Sequence, residues 1–366
     1  MDFPRTVEEI TSEGLTQVLR ESGAIRESSV VSFTTAAGLS GGLVGNVNRM
    51  LLEYNQKEDG APDSVVAKVA NTDEEFRTRV NHSGYTGREI EFYRQYAPIA
   101  GMGSPSIYAI EYDRESGYFI ILLEDLGHLR EVHQSADCSF ADGSSAVQSL
   151  ARMHAKWWDH EQLFRATWFM DVSNIENLIP MTENYAQGID PLLEIAGDYL
   201  PAGYESLARK YGESMVKVIQ TDGKGPVTLI HGDFRLGNLF FDDAKESENP
   251  VVAFDWETMG RMKGSRDLAY FLSLSFATES RRKYEKRLLA DYHDSIVELG
   301  VKNYSFDEFS TDVRVSALWS IRQVTLATVT LGGGALETEG SKKMFKALWE
   351  RMQTVIDWNC DEVIPK

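Results

Sequence analysis

The chain has 366 residues, 42% hydrophobic and 25% charged, which is a globular composition with room for one large domain or two ordinary ones. Its formal net charge of -19 argues against a nucleic-acid partner, whose phosphates need clustered Lys and Arg, and against docking on anionic lipid. The acidic N-terminus and the absence of an apolar run near the ~20 residues of a membrane span predict a cytoplasmic protein without a secretory signal.

The first ~125 residues read as strand-rich by alternation and β-branched content. Strands are predicted in "SVVSFTTAA", "VNRMLLEY" and "DSVVAKVA", with the glycine cluster "GLSGGLVGN" after the first. "YTGREIEFYRQYA" has a helical period that Pro98 ends. "SIYAIEYD" and "GYFIILLEDL" form a strand pair around Glu115-Ser116-Gly117. From about residue 127 the pattern turns helical, starting with "SSAVQSLARMHAKWWDH". Further helices are predicted near 183–198, 203–220, 265–276, 280–298, 307–330 and 340–358. A short β island at 227–256 interrupts them, and "LGGGALETEG" at 331–340 reads as a flexible loop and a lid. The prediction is an α+β chain with a β-rich lobe over 1–125 and a mainly helical lobe over 126–366.

Several residue groups carry chemistry. The glycine cluster, with Gly41, Gly42 and Gly45, lies between two strands. A dinucleotide-binding turn would open a helix instead, and no Walker A pattern occurs. The cluster suits either a phosphate-covering loop or an ordinary hairpin. Lys68 sits on a short apolar strand, and about twenty residues later a predicted helix offers Glu89, with Glu91 as its rival. Strand lysine followed by helix glutamate is kinase order. "ILLEDLG" leaves a strand at the lobe boundary, where a hinge presents backbone groups of Glu124 and Leu126 to a nucleotide base.

The strongest stretch is "HGDFRLGN" followed by "VVAFDWE". Asp233 and Asn238 have the spacing of the kinase catalytic loop, and Asp255 follows a second β run. Phosphoryl transfer needs a carboxylate for the hydroxyl proton, plus oxygen ligands that hold Mg²⁺ on the phosphates. These residues are of those types, in that order. His231 has no metal partner at zinc spacing and reads as a brace for the loop.

"LIHGDFRLGNLFF", "VVAFDWETMG", "RDLAYFL" and "ARMHAKWW" together resemble the aminoglycoside phosphotransferase and choline kinase-like superfamily. Within it the chain looks most similar to the ecdysteroid kinase-like group and to the phosphotransferase domains joined to some acyl-CoA dehydrogenases. The resemblance implies a protein-kinase-like two-lobed fold and ATP- and Mg²⁺-dependent phosphorylation of a small-molecule hydroxyl. It implies Asp233 as catalytic base, Asn238 and Asp255 as Mg²⁺ ligands, and Lys68 on the α/β-phosphates paired with Glu89. Asp267 would brace the catalytic loop. The roles of Arg235 and Glu257 stay open. The metal aspartate is followed by Trp256-Glu257, and no "APE" signature comes after it, which disfavours a protein substrate. A silent nucleotide-binding pseudokinase and a protein kinase are the alternatives. Between 155 and 190, Trp157, Trp158, Phe164, Trp168 and Phe169 suit either a stacking pocket or helix packing.

Overall fold

The computed structural model describes residues 3–36, 45–169, 172–244 and 247–365, without the side chains of 331–335. The architecture is α+β, with an antiparallel sheet in the N-terminal part and mainly helices in the C-terminal part. Two compact units account for it. The first holds the chain through Ile99, Gly103–Leu129 and Phe254–Thr258; the second holds Ala100–Met102, Arg130–Ala253 and the chain from Met259.

The first unit is built on strands β1 (Val30–Ala36), β2 (Gly45–Tyr54), β3 (Ser64–Ala70), β4 (Ile107–Tyr112) and β5 (Phe119–Glu124), ordered β1-β2-β3-β5-β4 with every pair antiparallel. Helix α1 (Ser12–Glu21) is capped by Thr11, whose hydroxyl accepts the Gly14 N–H at 3.0 Å. Its Leu15 and Leu19 are buried in one core with Met50, Val65, Ala67, Val69, Ile120 and Leu122. Side chains alternate along a strand, so Val65, Ala67 and Val69 fix one face of β3 against this core and turn Lys68 to the other. Helices α2 (Glu74–Ser83) and α3 (Tyr85–Glu91) follow, and the α3 axis runs on through a π turn at Phe92–Tyr96.

Neither α1 nor α2 is among the predicted helices, although Leu15, Val18 and Leu19 give α1 an apolar stripe at helical spacing. Of α2 only Arg77 is buried. Its boundaries are set by polar signals: the Asp73 carboxylate caps the Phe76 N–H at 2.7 Å, and Gly84 ends it at φ 76°.

The second unit contains α4 (Phe140–Lys156), α5 (Glu161–Arg165), α6 (Ile179–Ala196), α7 (Tyr204–Asp222), α8 (Ser265–Ser275), α9 (Thr278–Glu298), α10 (Phe306–Ala335), α11 (Glu339–Arg351) and α12 (Gln353–Asp357). All eleven residues of α8 are buried. The predicted β island is two small sheets. β7 (Thr228–Ile230) pairs with β10 (Gly260–Met262), and β8 (Leu239–Phe241) lies between β6 (Arg130–Glu131) and β9 (Val251–Ala253). The loop expected over 331–340 is instead the end of α10, which runs through Gly332–Gly334 to Ala335, and α11 resumes at Glu339. Each glycine costs a helix roughly 1 kcal/mol against Ala, but adding residues to a helix already formed and packed on α6 and α8 needs no new nucleus. A lid at 331–340 is therefore withdrawn.

Candidate active site

The residues singled out by sequence fall into one group in each unit. In the first, Lys68 is 5% exposed and its ammonium is 2.7 Å from Glu89 Oε2, 2.9 Å from Asp255 Oδ1 and 3.7 Å from Glu257 Oε2. Burial alone would depress this ammonium. The charges of Asp255, Glu89 and Glu257 outweigh burial and hold its pKa well above the ordinary lysine value. Glu91, the rival, turns elsewhere and takes Arg114 at 2.8 Å.

Asp255 sits in the left-handed region at φ 66°, which few non-glycine residues adopt. Two contacts fix its segment. The Trp256 ring stacks on Phe92 at 3.7 Å between centroids, and Arg88 Nε donates to the Glu257 carbonyl at 2.9 Å. The carboxylates of Glu89, Asp255 and Glu257 offer ligand atoms within 4.8 Å of one another. All three face the Lys68 ammonium, and Asp255, the most exposed of them, is the hard, charged oxygen donor that suits Mg²⁺.

Gly45 begins β2, where a Cβ would lie 2.4 Å from the Val69 carbonyl oxygen, so only glycine allows the pairing there. Gly41 and Gly42 lie outside the described residues. Glu124 ends β5, and its carboxylate accepts the Ser106 N–H at 3.0 Å and the Ser106 hydroxyl at 2.8 Å. Leu126 is buried, and its N–H meets no acceptor among the described residues.

The second group begins where β7 ends. The N–H groups of His231 and Gly232 donate to the two oxygens of Asp267, at 2.7 and 2.8 Å. Asp267 on α8 is fully buried, as is His154 of α4, whose Nε2 lies 3.4 Å from it and whose Nδ1 lies 2.7 Å from the Tyr292 hydroxyl. The loop is thus pinned from the core, with Gly232 at φ 86° making the turn. His231 is buried, with Nδ1 3.3 Å from the Asp233 N–H.

The Asp233 carboxylate is surrounded by donors. Tyr270 donates its hydroxyl to Oδ1 at 2.8 Å, and Asn238 Nδ2 donates to Oδ2 at 2.7 Å. Arg235 Nε lies 3.2 Å from both oxygens. Asn238 also bonds the Asp233 carbonyl at 2.9 Å, which leaves its Oδ1 as the oxygen a cation would take. Burial and the neighbouring Asp233 charge push the Tyr270 hydroxyl well above its ordinary pKa, so it stays a neutral donor. Gln134 closes the turn, accepting the Gly237 N–H at 2.8 Å.

Tyr270, His154 and Gln134 are not predicted from sequence. Tyr270, one helical turn after Asp267 in "RDLAY", and His154, inside "ARMHAKWW", lie in stretches that carry the resemblance, whereas Gln134 has no such signal. Of the aromatics between 155 and 190, Trp157 and Phe169 are core, while Phe164 is 55% exposed.

The profile of the ecdysteroid kinase-like family matches residues 42–303. No curated protein sequence matches the chain significantly. Among solved structures it is similar to the choline kinase of Cryptosporidium parvum Iowa II, with a TM-score of 0.58 and 10% identity over 97% of this chain and 98% of that one. It is also similar to an amicoumacin kinase in complex with AMP-PNP and Ca²⁺, with a TM-score of 0.53 and 14% identity over 92% of each chain. A third likeness is to an aminoglycoside 2'-phosphotransferase-IIIa variant in its GDP complex, with a TM-score of 0.53 and 12% identity over 96% of this chain and 98% of that one. At these identities the likeness is one of fold, and the fold is protein-kinase-like. No helix among the described residues is long and apolar enough to cross a membrane.

Proposed function

The chain belongs to the ecdysteroid kinase-like family, and we propose that it transfers the γ-phosphoryl group of ATP to a hydroxyl of a small molecule. The observation that carries this reading is the convergence of Glu89 and Asp255 on the buried ammonium of Lys68. A charged lysine held this way is a fixed cation for phosphate oxygens. Kinases of choline and amicoumacin share the fold, which supports a small acceptor. So does the short stretch 256–266 between Asp255 and Asp267, which leaves little chain for a protein-kinase activation loop.

In this reaction Asp233 is the base. It takes the proton of the acceptor hydroxyl as that oxygen bonds to the γ-phosphorus, while the bond to the bridging oxygen breaks and ADP leaves. Tyr270 and Asn238 hold the carboxylate in place. Lys68 neutralises phosphate charge, Glu89 keeps Lys68 in position, and Glu124 and Leu126 offer backbone groups to the nucleotide's heterocycle. Mg²⁺, when bound, neutralises charge on the transferring phosphates; Asp255 and the Asn238 amide oxygen are the ligands this reading assigns to it. Nucleotide consumption measured across alcohols, amino alcohols, sugars and steroid-like hydroxyls tests the proposal. Asp233→Asn is expected to lower turnover at least ~100-fold, the range of general-base catalysis; unchanged turnover would overturn the role.

A second reading has one observation in its favour. Arg235 lies across both oxygens of Asp233, so the base is covered in this arrangement. A nucleotide-binding protein that acts by interaction would look the same. Stabilisation by ATP with no turnover on any acceptor would decide for it.

A further inference from the structure

Asp125, the residue after β5, is anchored more firmly than a connecting residue needs to be. Its side chain is 9% exposed, forms an ion pair with Arg49 whose Nε lies 2.7 Å away, and accepts Arg49 Nη2 at 2.9 Å, the Ser64 hydroxyl at 2.5 Å and the Gly127 N–H at 3.0 Å. Arg49 comes from β2 and Ser64 opens β3. Their register places Val47 opposite Lys68, Arg49 opposite Val66 and Leu51 opposite Ser64, so Arg49 and Ser64 share the sheet face that bears Lys68. Gly127 makes room for the arrangement, since a Cβ there would lie 2.8 Å from Arg49 Nη2 and 3.2 Å from Asp125 Oδ1.

Anchors therefore flank Leu126 on both sides. Asp125 is tied to Gly127 and to Arg49, and Glu124 is tied to Ser106. The Leu126 carbonyl accepts the Leu129 N–H at 2.9 Å. What remains between these anchors is the Leu126 N–H, a buried residue's donor with no acceptor among the described residues. A cavity of about 560 Å³ opens beside the clamp, lined by Arg49, Leu51, Tyr108, Glu124, Asp125 and His128. The cavity reaches the residues on either side of Leu126, and an unmet donor held on a rigid peptide is what recognition of a flat heterocycle requires.

We propose that Asp125, gripped by Arg49 and Ser64, is a positioning residue for the nucleotide base, holding the Leu126 N–H at a fixed height for a ring nitrogen. This rests on the phosphotransferase reading, because it presumes a nucleotide whose phosphates meet Lys68. It adds that base affinity is set by side chains outside the phosphate-binding groups. Arg49 and Ser64 touch no nucleotide in this scheme; they act through Asp125.

Calorimetric titration of the full chain with MgATP and with magnesium tripolyphosphate separates base from phosphate. Asp125→Asn and Arg49→Met are each expected to weaken MgATP about tenfold, the loss expected of one charge-assisted hydrogen bond, and to leave tripolyphosphate within about twofold. Arg49→Lys keeps a cation on Asp125 and should recover most of the affinity, and the Arg49→Met/Asp125→Asn double variant should lose no more than either single change. Equal weakening of both probes, or unchanged MgATP affinity in the single variants, overturns the clamp and leaves the enzymatic reading standing. Wild-type protein that binds neither probe overturns both.

Discussion

Tyr270 is the side chain whose removal is most informative. Its hydroxyl is one of three donors on Asp233 and touches nothing on the nucleotide side of the proposed reaction. Tyr270→Phe is expected to lower kcat about tenfold, equivalent to one hydrogen bond to a charged group, with KM for ATP unchanged; steady-state kinetics at varied ATP checks this. Glu58 is a second single-residue case, concerned with stability. Its carboxylate accepts the N–H groups of Ser28, Glu27 and Arg26, which lower its pKa from 4.5 to about 2. A depressed carboxylate stabilises the fold above its unfolded pKa and loses that contribution as pH falls. The melting-temperature gap between wild type and Glu58→Gln should be full near pH 6 and close between pH 4.5 and 2. Lys68, Asp233, Asn238 and Asp255 were legible because motif spacing relates them to short strands: Lys68 lies on β3, and the others follow β7 and β9. Tyr270 and Arg49 were not, because their contacts join residues far apart in the chain: Tyr270 to Asp233, and Arg49 to Asp125.

At the scale of elements, the start of α8 has the tightest fit. Gly264 precedes it, and a Cβ there would lie 2.5 Å from the Tyr292 hydroxyl and 2.7 Å from His154 Nδ1. Gly264→Ala should therefore displace the side chains that brace Asp267 and cost ~1–3 kcal/mol, as overpacking of a core does. Chemical denaturation reads this directly as a lower midpoint with an unchanged slope. The amphipathic helices of the second unit were legible from apolar spacing, since their buried stripes recur every three or four residues. Helix α2 was not, because it buries Arg77 over the Tyr118 ring, 3.8 Å from its centroid, where periodicity looks for an apolar residue. The end of α10 misled for the opposite reason: three glycines in a row read as a break, while the helix around them was long enough to carry them.

For the molecule as a whole, a ligand that binds only the folded state raises its stability by mass action, about 2.7 kcal/mol at one hundred times Kd. MgATP in millimolar excess is expected to raise Tm by several degrees, and EDTA should remove most of that rise; scanning calorimetry with and without chelator measures both. The order of the candidate residues along the chain is plain in the sequence, whereas its division into compact units is subtler. The five residues Phe254–Thr258 belong with the first unit although they lie far downstream of its other members. A fragment ending at Leu129 would lack Asp255 and Glu257, two of the three acids on Lys68, and would also lose Trp256, the ring stacked on Phe92. Such a fragment should melt without a cooperative transition in circular dichroism, since an ammonium buried with fewer partners is costly. In evolutionary terms the first unit is not a cassette. No single crossover between genes can transplant it, and a recombinant must inherit both the first third of the chain and this downstream pentapeptide from the same parent, or parents already matched at Lys68, Phe92 and Trp256.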